Sequence, residues 1–163
     1  MAQTVHLTMT ANGTAVEGES TVTTLDRENT IECLVFEHTM ASKTESGGLP
    51  SGGMLTEGIQ VRKRIDKASP LLQKAMATAE TIEGRFEFFR PNPDGGGTEE
   101  HFFTVQIDNA RVSRIVRRSP DALEGYQAGV PPYEEVTFLA GEVTLTNENG
   151  GQNYTTKFFE NKK

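Results

Sequence analysis

The chain has little of several things that particular functions require. Among its 163 residues there are one cysteine, three histidines and no tryptophan. A single cysteine, Cys33, cannot form an internal disulfide, which fits a reducing compartment and leaves stability to packing. His6, His38 and His101 lie far apart and show no spacing typical of a metal-ligand motif. We therefore expect no metal site, a core position for Cys33, and solvated surface positions for His6 and His101.

Long apolar runs and an excess of positive charge are also missing. No apolar stretch approaches the ~20 residues of a membrane-spanning helix, and the net charge of -7 disfavours binding to nucleic-acid phosphates. Residues 1–8 have neither the basic stretch nor the apolar segment of a secretory signal. We expect no nucleic-acid partner, no membrane insertion, and a cytoplasmic protein without a cleavable signal peptide.

What the sequence does contain is typical of one soluble globular domain that spans residues 1–163. Hydrophobic residues make up 35% of the chain and charged residues 24%, which is ordinary for such a domain. A chain of this length can bury a genuine core.

Period-two alternation indicates that the fold is mainly β. Val5, Leu7 and Met9 alternate with polar residues, and Asn12-Gly13 then favours a tight hairpin turn. Further strands are predicted at about 31–38, 59–65, 86–89, 103–112, 136–145 and 154–158. The apolar residues change from one face of the strand to the other near residues 108–109 and again near residues 140–141, which predicts two bulges. Long strands bent in this way indicate the curvature of a small barrel.

One segment has helical rather than strand periodicity. Ser69 and Pro70 are residues that favour a helix start, and apolar residues recur at helical spacing as far as Ala79. We predict one amphipathic helix over about residues 70–80, with Ser69 as its cap. So short a helix is marginal alone in water, so it must pack on the sheet.

Two stretches are predicted to be long loops. Residues 41–58 contain five glycines and the apolar residues Leu49, Met54 and Leu55, and residues 119–133 are rich in proline and glycine. Loops longer than about 12–15 residues in compact domains are usually functional or disordered.

Patterns that carry catalysis are weak in this chain. Glu99-Glu100 and Glu134-Glu135 are carboxylate pairs, but nothing indicates that they face each other as glycoside hydrolysis requires, so we expect solvated strand ends. The glycines at 95–97 lack the Lys-Ser/Thr of a phosphate loop. We therefore expect no enzymatic activity and no cofactor.

Two basic clusters stand out in an acidic protein. Arg62-Lys63-Arg64 is one, and Arg114 with Arg117-Arg118 is the other. On a strand, Arg62 and Arg64 project to one side and Lys63 to the other. The clusters are either ordinary surface charge or partners for acidic patches on neighbouring copies, where complementary charge fixes register.

The segment Asp66-Lys67-Ala68-Ser69-Pro70-Leu71-Leu72, together with the order of strands around it, resembles the Hcp family. The resemblance implies a small β-barrel of two antiparallel sheets flanked by one helix. It also implies a structural subunit of the type VI secretion system, which forms hexameric rings that stack into a hollow tube. By the same resemblance, a contractile sheath surrounds the tube, a VgrG-type spike tips it, small effectors occupy its lumen, and the protein assembles in the bacterial cytoplasm before it is secreted.

Self-assembly suggests a set of residues for subunit contacts or ring stacking. These candidates are exposed apolar or basic positions on the predicted strands and the glycine-rich stretch: Leu34, Phe36, Leu49, Pro50, Met54, Leu55, Arg62 and Arg64. The motif at the start of the helix comprises Asp66, Lys67, Ser69, Pro70 and Leu72. Two other classes remain open, namely a lipocalin- or lectin-like barrel that binds a small ligand or sugar, and a hydrolase with dispersed carboxylates.

Overall fold

A computed structural model of the chain describes residues 3–159. The strands are Thr4–Ala11 (β1), Thr14–Val16 (β2), Ile31–Cys33 (β3), Val35–Thr44 (β4), Pro50–Arg64 (β5), Ile82–Pro91 (β6), Glu99–Arg118 (β7), Tyr133–Asn147 (β8) and Asn153–Lys157 (β9). A helix, Ser69–Ala77 (α1), and a short 3-10 turn, Thr24–Asp26, are the helical elements of this part of the chain.

The strands form one antiparallel sheet. Its order is β2-β1-β6-β7-β8-β5-β4, with β3 paired to β1 and β9 paired to β8. The mainly β fold with one helix is thus confirmed, but the described strands make a single continuous sheet where two were predicted. The sheet curls, because β3 and β4 follow each other along the chain yet pair with strands near its opposite edges.

At Leu34 the chain passes from one edge of the sheet to the other. Cys33 pairs with Val5 of β1, whereas Val35 pairs with Arg62 of β5. Between them, the backbone N–H of Leu34 donates to the carbonyl of Arg62 at 2.7 Å. This one residue therefore joins the two edges of the curled sheet.

The core fills the inside of the curl. Alternate residues of β1, β6, β7, β8 and the second half of β5 point inward, as half-buried strands require. Aromatic rings meet edge to face here, with 5.1 Å between the ring centroids of Phe36 and Phe86. Cys33 is buried here, as predicted, and burial raises the pKa of its thiol to about 12. The thiol is a packing group and remains protonated at neutral pH.

The predicted bulge on β7 is present, and the predicted change of parity on β8 lies beside it. On β7, Ile107 pairs with Gly84 and Ala110 with Ile82, so one extra residue is accommodated near Asn109, whose φ is 50°. On β8, Ala140 and Gly141 are both buried, which shifts the inward parity there. β7 and β8 stay in register with each other at this point, and their register shifts by one residue farther along, between Val112 and Arg114.

The prediction that His6 is solvated was wrong. Its ring is only 1% exposed, and its Nδ1 lies 2.8 Å from Thr30 Oγ1. The segment between β2 and β3 folds over this face of β1 and places the Arg27 guanidinium 4.5 Å from the Phe89 ring centroid. Burial, and then the charge of Arg27, lower the pKa of His6. A segment without periodicity supplied this cover, so strand parity alone could not reveal it.

The prediction of a long loop at residues 41–58 was also wrong. Residues up to Thr44 and from Pro50 onward belong to β4 and β5, and only residues 45–49 form the turn between them. Ladder pairs continue out to Thr44 and Pro50, with two irregularities on the way. The glycines bend the hairpin rather than abolish it. The connection between Arg118 and Tyr133 does lack strands, as predicted.

The helix begins one residue earlier and ends sooner than predicted. Ser69 does not cap it, since its Oγ accepts instead from the backbone N–H of Asp66 at 3.0 Å, while Asp66 Oδ1 accepts from Ala68 N at 2.9 Å. The helix stops because Ala79 takes a φ of 51°, the left-handed conformation that commonly terminates helices. Leu72 and Ala75 form its buried face.

A buried ionic cluster ties the helix start to the sheet. Lys63 Nζ donates to Asp66 Oδ1 and to Glu134 Oε1, each at 2.8 Å, and to Ser69 Oγ at 3.3 Å. Arg117 Nε donates to the other oxygen of Glu134 at 2.7 Å. The side chains of Lys63 and Glu134 are almost wholly buried. Glu134 is therefore no solvated strand end, because it shares the inward parity of the core residues that follow it on β8.

The neighbours of Glu134 decide its charge. Burial alone would raise the pKa of the Glu134 carboxyl, but hydrogen bonds from Lys63, Ser69 and Arg117 and the charge of Lys63 together lower it. A carboxyl with a lowered pKa in the folded state contributes stability above its unfolded value of about 4.5, and this contribution is lost as the pH falls through the lowered value.

We predict that Lys63→Met lowers the free energy of unfolding by about 3–5 kcal/mol, since it leaves two carboxylates without their buried partner. The matched control is Lys157→Met, which removes the exposed ion pair with Glu142 and should cost only about 0–1 kcal/mol. Urea unfolding at one fixed protein concentration measures both. Equal losses in the two variants would contradict the assigned role of the cluster.

A second prediction concerns Gly58, where φ is 87° and an added Cβ would meet the Phe138 carbonyl oxygen at 2.5 Å. Gly58→Ala adds this clash to a backbone penalty of about 1 kcal/mol. Gly52→Ala is the control, because Gly52 has a φ of 80° with open space around it. We expect the urea midpoint to fall further for Gly58→Ala, and equal midpoints would show that the close approach to β8 carries no cost.

Candidate assembly site

The outer part of the β4–β5 hairpin extends beyond the rest of the sheet. β5 pairs with β8 only from Ile59 to Arg64, so residues 50–57 have β4 as their single partner. We call residues 40–57 the arm. It is a two-stranded ribbon whose outer strand, β4, also lies at the edge of the sheet.

The base and the tip of the arm have defined backbone geometry. At the base, Gly58 approaches β8 closely, and its N–H donates to Thr56 Oγ1 at 3.0 Å. At the tip, the Glu45 N–H donates to the Leu49 carbonyl at 2.9 Å, and Gly48 adopts a φ of 80°. The arm is therefore a folded projection with a bend at its base.

The arm exposes apolar side chains along its length. Leu49 at the tip is 70% exposed and Leu55 is 54% exposed, while Met40 and Met54 are also open to solvent. Pro50 is exposed beside them. A lone two-stranded ribbon is marginally stable in water, and its apolar residues belong neither to the core cluster nor to the partly buried residues packed against it. These two properties favour a second surface that covers the arm.

The remaining candidate apolar residues lie where the chain changes sheet edge. Leu34 is exposed there, next to the exposed Val35, which the sequence analysis did not select. Phe36 is half-buried and packs against the rings of Phe86 and Phe88, so most of its contacts are with its own core. Leu34 and Val35 thus form a small apolar patch separate from the arm tip.

Both candidate arginines have partners within the chain. Arg62 Nη2 lies 2.9 Å from Glu135 Oε1, and its guanidinium stacks 4.7 Å from the Tyr133 ring centroid. Arg64 Nη1 lies 2.9 Å from Glu32 Oε2. The two arginines and Lys63 do project to opposite sides of β5, as predicted. The Arg64–Glu32 pair is exposed and contributes about 0–1 kcal/mol, so it can be exchanged at little cost for an intersubunit partner. Arg62 is itself partly exposed, but its partner Glu135 is mostly buried.

The motif at the helix start has an internal structural role. Asp66 and Ser69 bind the buried cluster, Leu72 packs in the core, and Pro70 lies in the first helical turn. Lys67 faces outward, with its backbone N–H bound to Glu19 and its ammonium 3.3 Å from Glu17. The motif fixes how β5 passes into α1 rather than presenting a binding group.

Sequence reasoning missed the two most buried charges. Lys63 has the same parity as Ile59 and Val61, and Glu134 has the parity of Val136 and Phe138. A buried ion pair is indicated when opposite charges occupy inward positions on two strands that pair with each other. That indication was available only after β5 and β8 were known to be neighbours.

Within residues 3–159, no group of three or more His, Cys, Asp and Glu side chains is placed to hold a metal ion. Residues 3–159 also include no helix long and apolar enough to cross a membrane.

Comparison with known proteins gives a consistent answer. Residues 7–146 match the family described as type VI secretion system effector, Hcp. A "major exported protein" of Pseudomonas aeruginosa is 26% identical over 118 residues, which is 71% of this chain and 67% of that protein.

Solved structures share the fold. An Hcp1 variant from E. coli EAEC 042 aligns with a TM-score of 0.83 and 24% identity, over 97% of this chain and 100% of that one. Hcp3 from Pseudomonas aeruginosa aligns with a TM-score of 0.73 and 18% identity, over 98% and 100% of the two chains. Because the family match covers most of the curled sheet and the helix, the chain belongs to the Hcp family and is a secreted, non-enzymatic tube protein of a type VI secretion system.

Proposed function

We propose that this chain is the repeating subunit of hexameric rings that stack into a hollow tube, and that the arm makes the contact between subunits. Membership of the Hcp family implies self-assembly. The observation that carries the proposed role of the arm is a folded ribbon with exposed Leu49, Met54 and Leu55. Such a ribbon gains stability when a neighbouring copy covers it.

An arm that binds a different surface of the next copy makes a heterologous contact. Contacts of this type close into a ring when the rotation between copies allows it and otherwise extend into a filament. A ring requires the first outcome, and the stacking of rings into a tube requires the second. A stable interface buries at least about 1,000 Å² in total, which the exposed apolar side chains of the arm cannot supply alone. We therefore assign Leu34, Val35, Arg62 and Arg64 to the same intersubunit contact or to the stacking contact.

The remaining partners follow from membership of the family alone. We propose that the assembled tube is surrounded by a contractile sheath, carries a VgrG-type spike and holds small effectors in its lumen. Rings form in the bacterial cytoplasm and leave through the type VI machine. A lipocalin- or lectin-like role is less well supported, because side chains of the core cluster occupy the inside of the curled sheet.

We predict that replacing Leu49, Met54 and Leu55 together by serine releases subunits from rings. Fully burying one leucine contributes about 1.5–3 kcal/mol, so losing three such contacts should weaken association by at least about a hundredfold. Sedimentation velocity over a concentration series measures the association, and negative-stain electron microscopy shows the particles.

The control replaces three exposed apolar residues outside the arm, Leu71, Met76 and Tyr154, by serine. This protein should form wild-type rings, and both triple variants should unfold at wild-type urea concentrations when monomeric. Rings that persist at wild-type strength in the arm variant would reject the role of the arm. A wild-type protein that forms no rings would reject the proposed function itself.

A further inference from the structure

The connection between β7 and β8 presents two apolar side chains to solvent. Leu123 is 95% exposed and Tyr126 is 80% exposed. We call residues 119–132 the connecting loop. No residue of this loop belongs to the core cluster, so neither side chain serves the packing of its own subunit.

The connecting loop is held in shape by its own hydrogen bonds. Asp121 Oδ1 accepts from the Leu123 N–H at 2.9 Å, and the Glu124 carbonyl accepts from Gln127 N at 2.8 Å and from Ala128 N at 3.0 Å. The Gln127 carbonyl accepts from Val130 N at 2.9 Å. A loop that is already ordered loses little conformational entropy when it binds. Its exposed leucine and tyrosine are therefore well suited to act as anchors.

A groove of about 490 Å³ with mostly apolar walls lies along the exposed side of α1. Its wall residues include Ile65, Pro70, Gln73, Lys74, Ala77 and Arg117. The connecting loop of the same chain ends beside this groove, since Ile65 N donates to the Pro132 carbonyl at 3.3 Å. The loop nevertheless leaves the groove open, because Leu123 and Tyr126 point into solvent.

Charge also matches the loop to the groove. The ionisable side chains of the loop are Asp121, Glu124 and the Tyr126 phenol, so its net charge at neutral pH is negative. The Lys74 ammonium of the groove wall is exposed, and its ion pair with Glu80 is long, at 3.5 Å. The other charges of the wall are bound within the subunit, Arg117 to Glu134 and Asp66 to Lys63. An acidic loop with apolar anchors is complementary to an apolar groove whose rim carries this exposed lysine.

We propose that the connecting loop of one copy docks into the α1 groove of a neighbouring copy, with Leu123 and Tyr126 in the groove and Glu124 near Lys74. This inference rests on the proposed self-assembly and adds a second contact to that of the arm. Two side chains cover far less than the area of a stable interface, so the loop strengthens an association that the arm establishes.

The first test compares Leu123→Ser/Tyr126→Ser with the control Tyr154→Ser, which removes another exposed tyrosine. We expect the loop variant to associate at least about tenfold more weakly than the wild type in sedimentation velocity, and the control to change by less than about twofold. If the loop variant associates as strongly as the wild type, the proposed loop contact is overturned and the proposed role of the arm is unaffected. A wild-type protein that stays monomeric would overturn the proposed function as well.

The second test identifies the occupant of the groove. A protein carrying Leu123→Cys is mixed with one carrying Ala77→Cys under oxidising conditions, while the native Cys33 stays buried and protonated. We expect these two proteins to form a covalent dimer. The control uses Met76→Cys in place of Ala77→Cys, because Met76 is exposed on the same helix but does not line the groove, and it should give far less dimer. Equal yields or no dimer would overturn the proposal.

When both cysteines are placed in one chain, a disulfide confined to monomers would assign the groove to the loop of the same chain and overturn it too.

The third test exchanges the charges. Lys74→Glu and Glu124→Lys should each weaken association, and the protein with both changes should recover it, because the pair is reversed and not removed. Additive losses in the double variant would contradict the proposed neighbourhood of Glu124 and Lys74.

Discussion

At Leu34 the chain exchanges one pairing partner for another, and this exchange dictates the shape of the sheet. Residues on one side of it belong to β3 and pair with β1, and residues on the other side belong to β4 and pair with β5. A flat sheet cannot place two consecutive segments of chain at its opposite edges. The sheet must therefore curl, and its curl encloses the core.

The same crossing explains why the arm exists. β4 pairs with β5 for the whole length of the hairpin, but β8 accompanies β5 only along its second half. The first half of β5 and the end of β4 are left to project as a two-stranded ribbon. The ionic cluster of Lys63 and Glu134 then fixes β5, β8 and the start of α1 to one another. A rigid body with a projecting, apolar ribbon is well suited to a subunit that joins others.

Much of this architecture could be predicted from the sequence, because local patterns determine it. Alternation located β1 and β6, the parity slip near 108–109 located the bulge at Asn109, and Ser69-Pro70 located the helix to within a few residues. The buried position of His6 could not be predicted, because its cover comes from Arg27 and Thr30, on a segment without periodicity. The hairpin at 41–58 was missed because glycines that bend a strand resemble glycines that end one. The Lys63–Glu134 pair required knowledge of which strands are neighbours, which is tertiary information.

The proposed role of this subunit as part of a ring can be tested on the particle that the unmodified protein forms. Sedimentation velocity over a concentration series, combined with negative-stain electron microscopy of the same samples, measures the mass and shape of that particle. We expect an annular particle of six subunits that persists on dilution into the low micromolar range. A protein that sediments as a monomer at high micromolar concentration, with no annular particles on the grid, would contradict it.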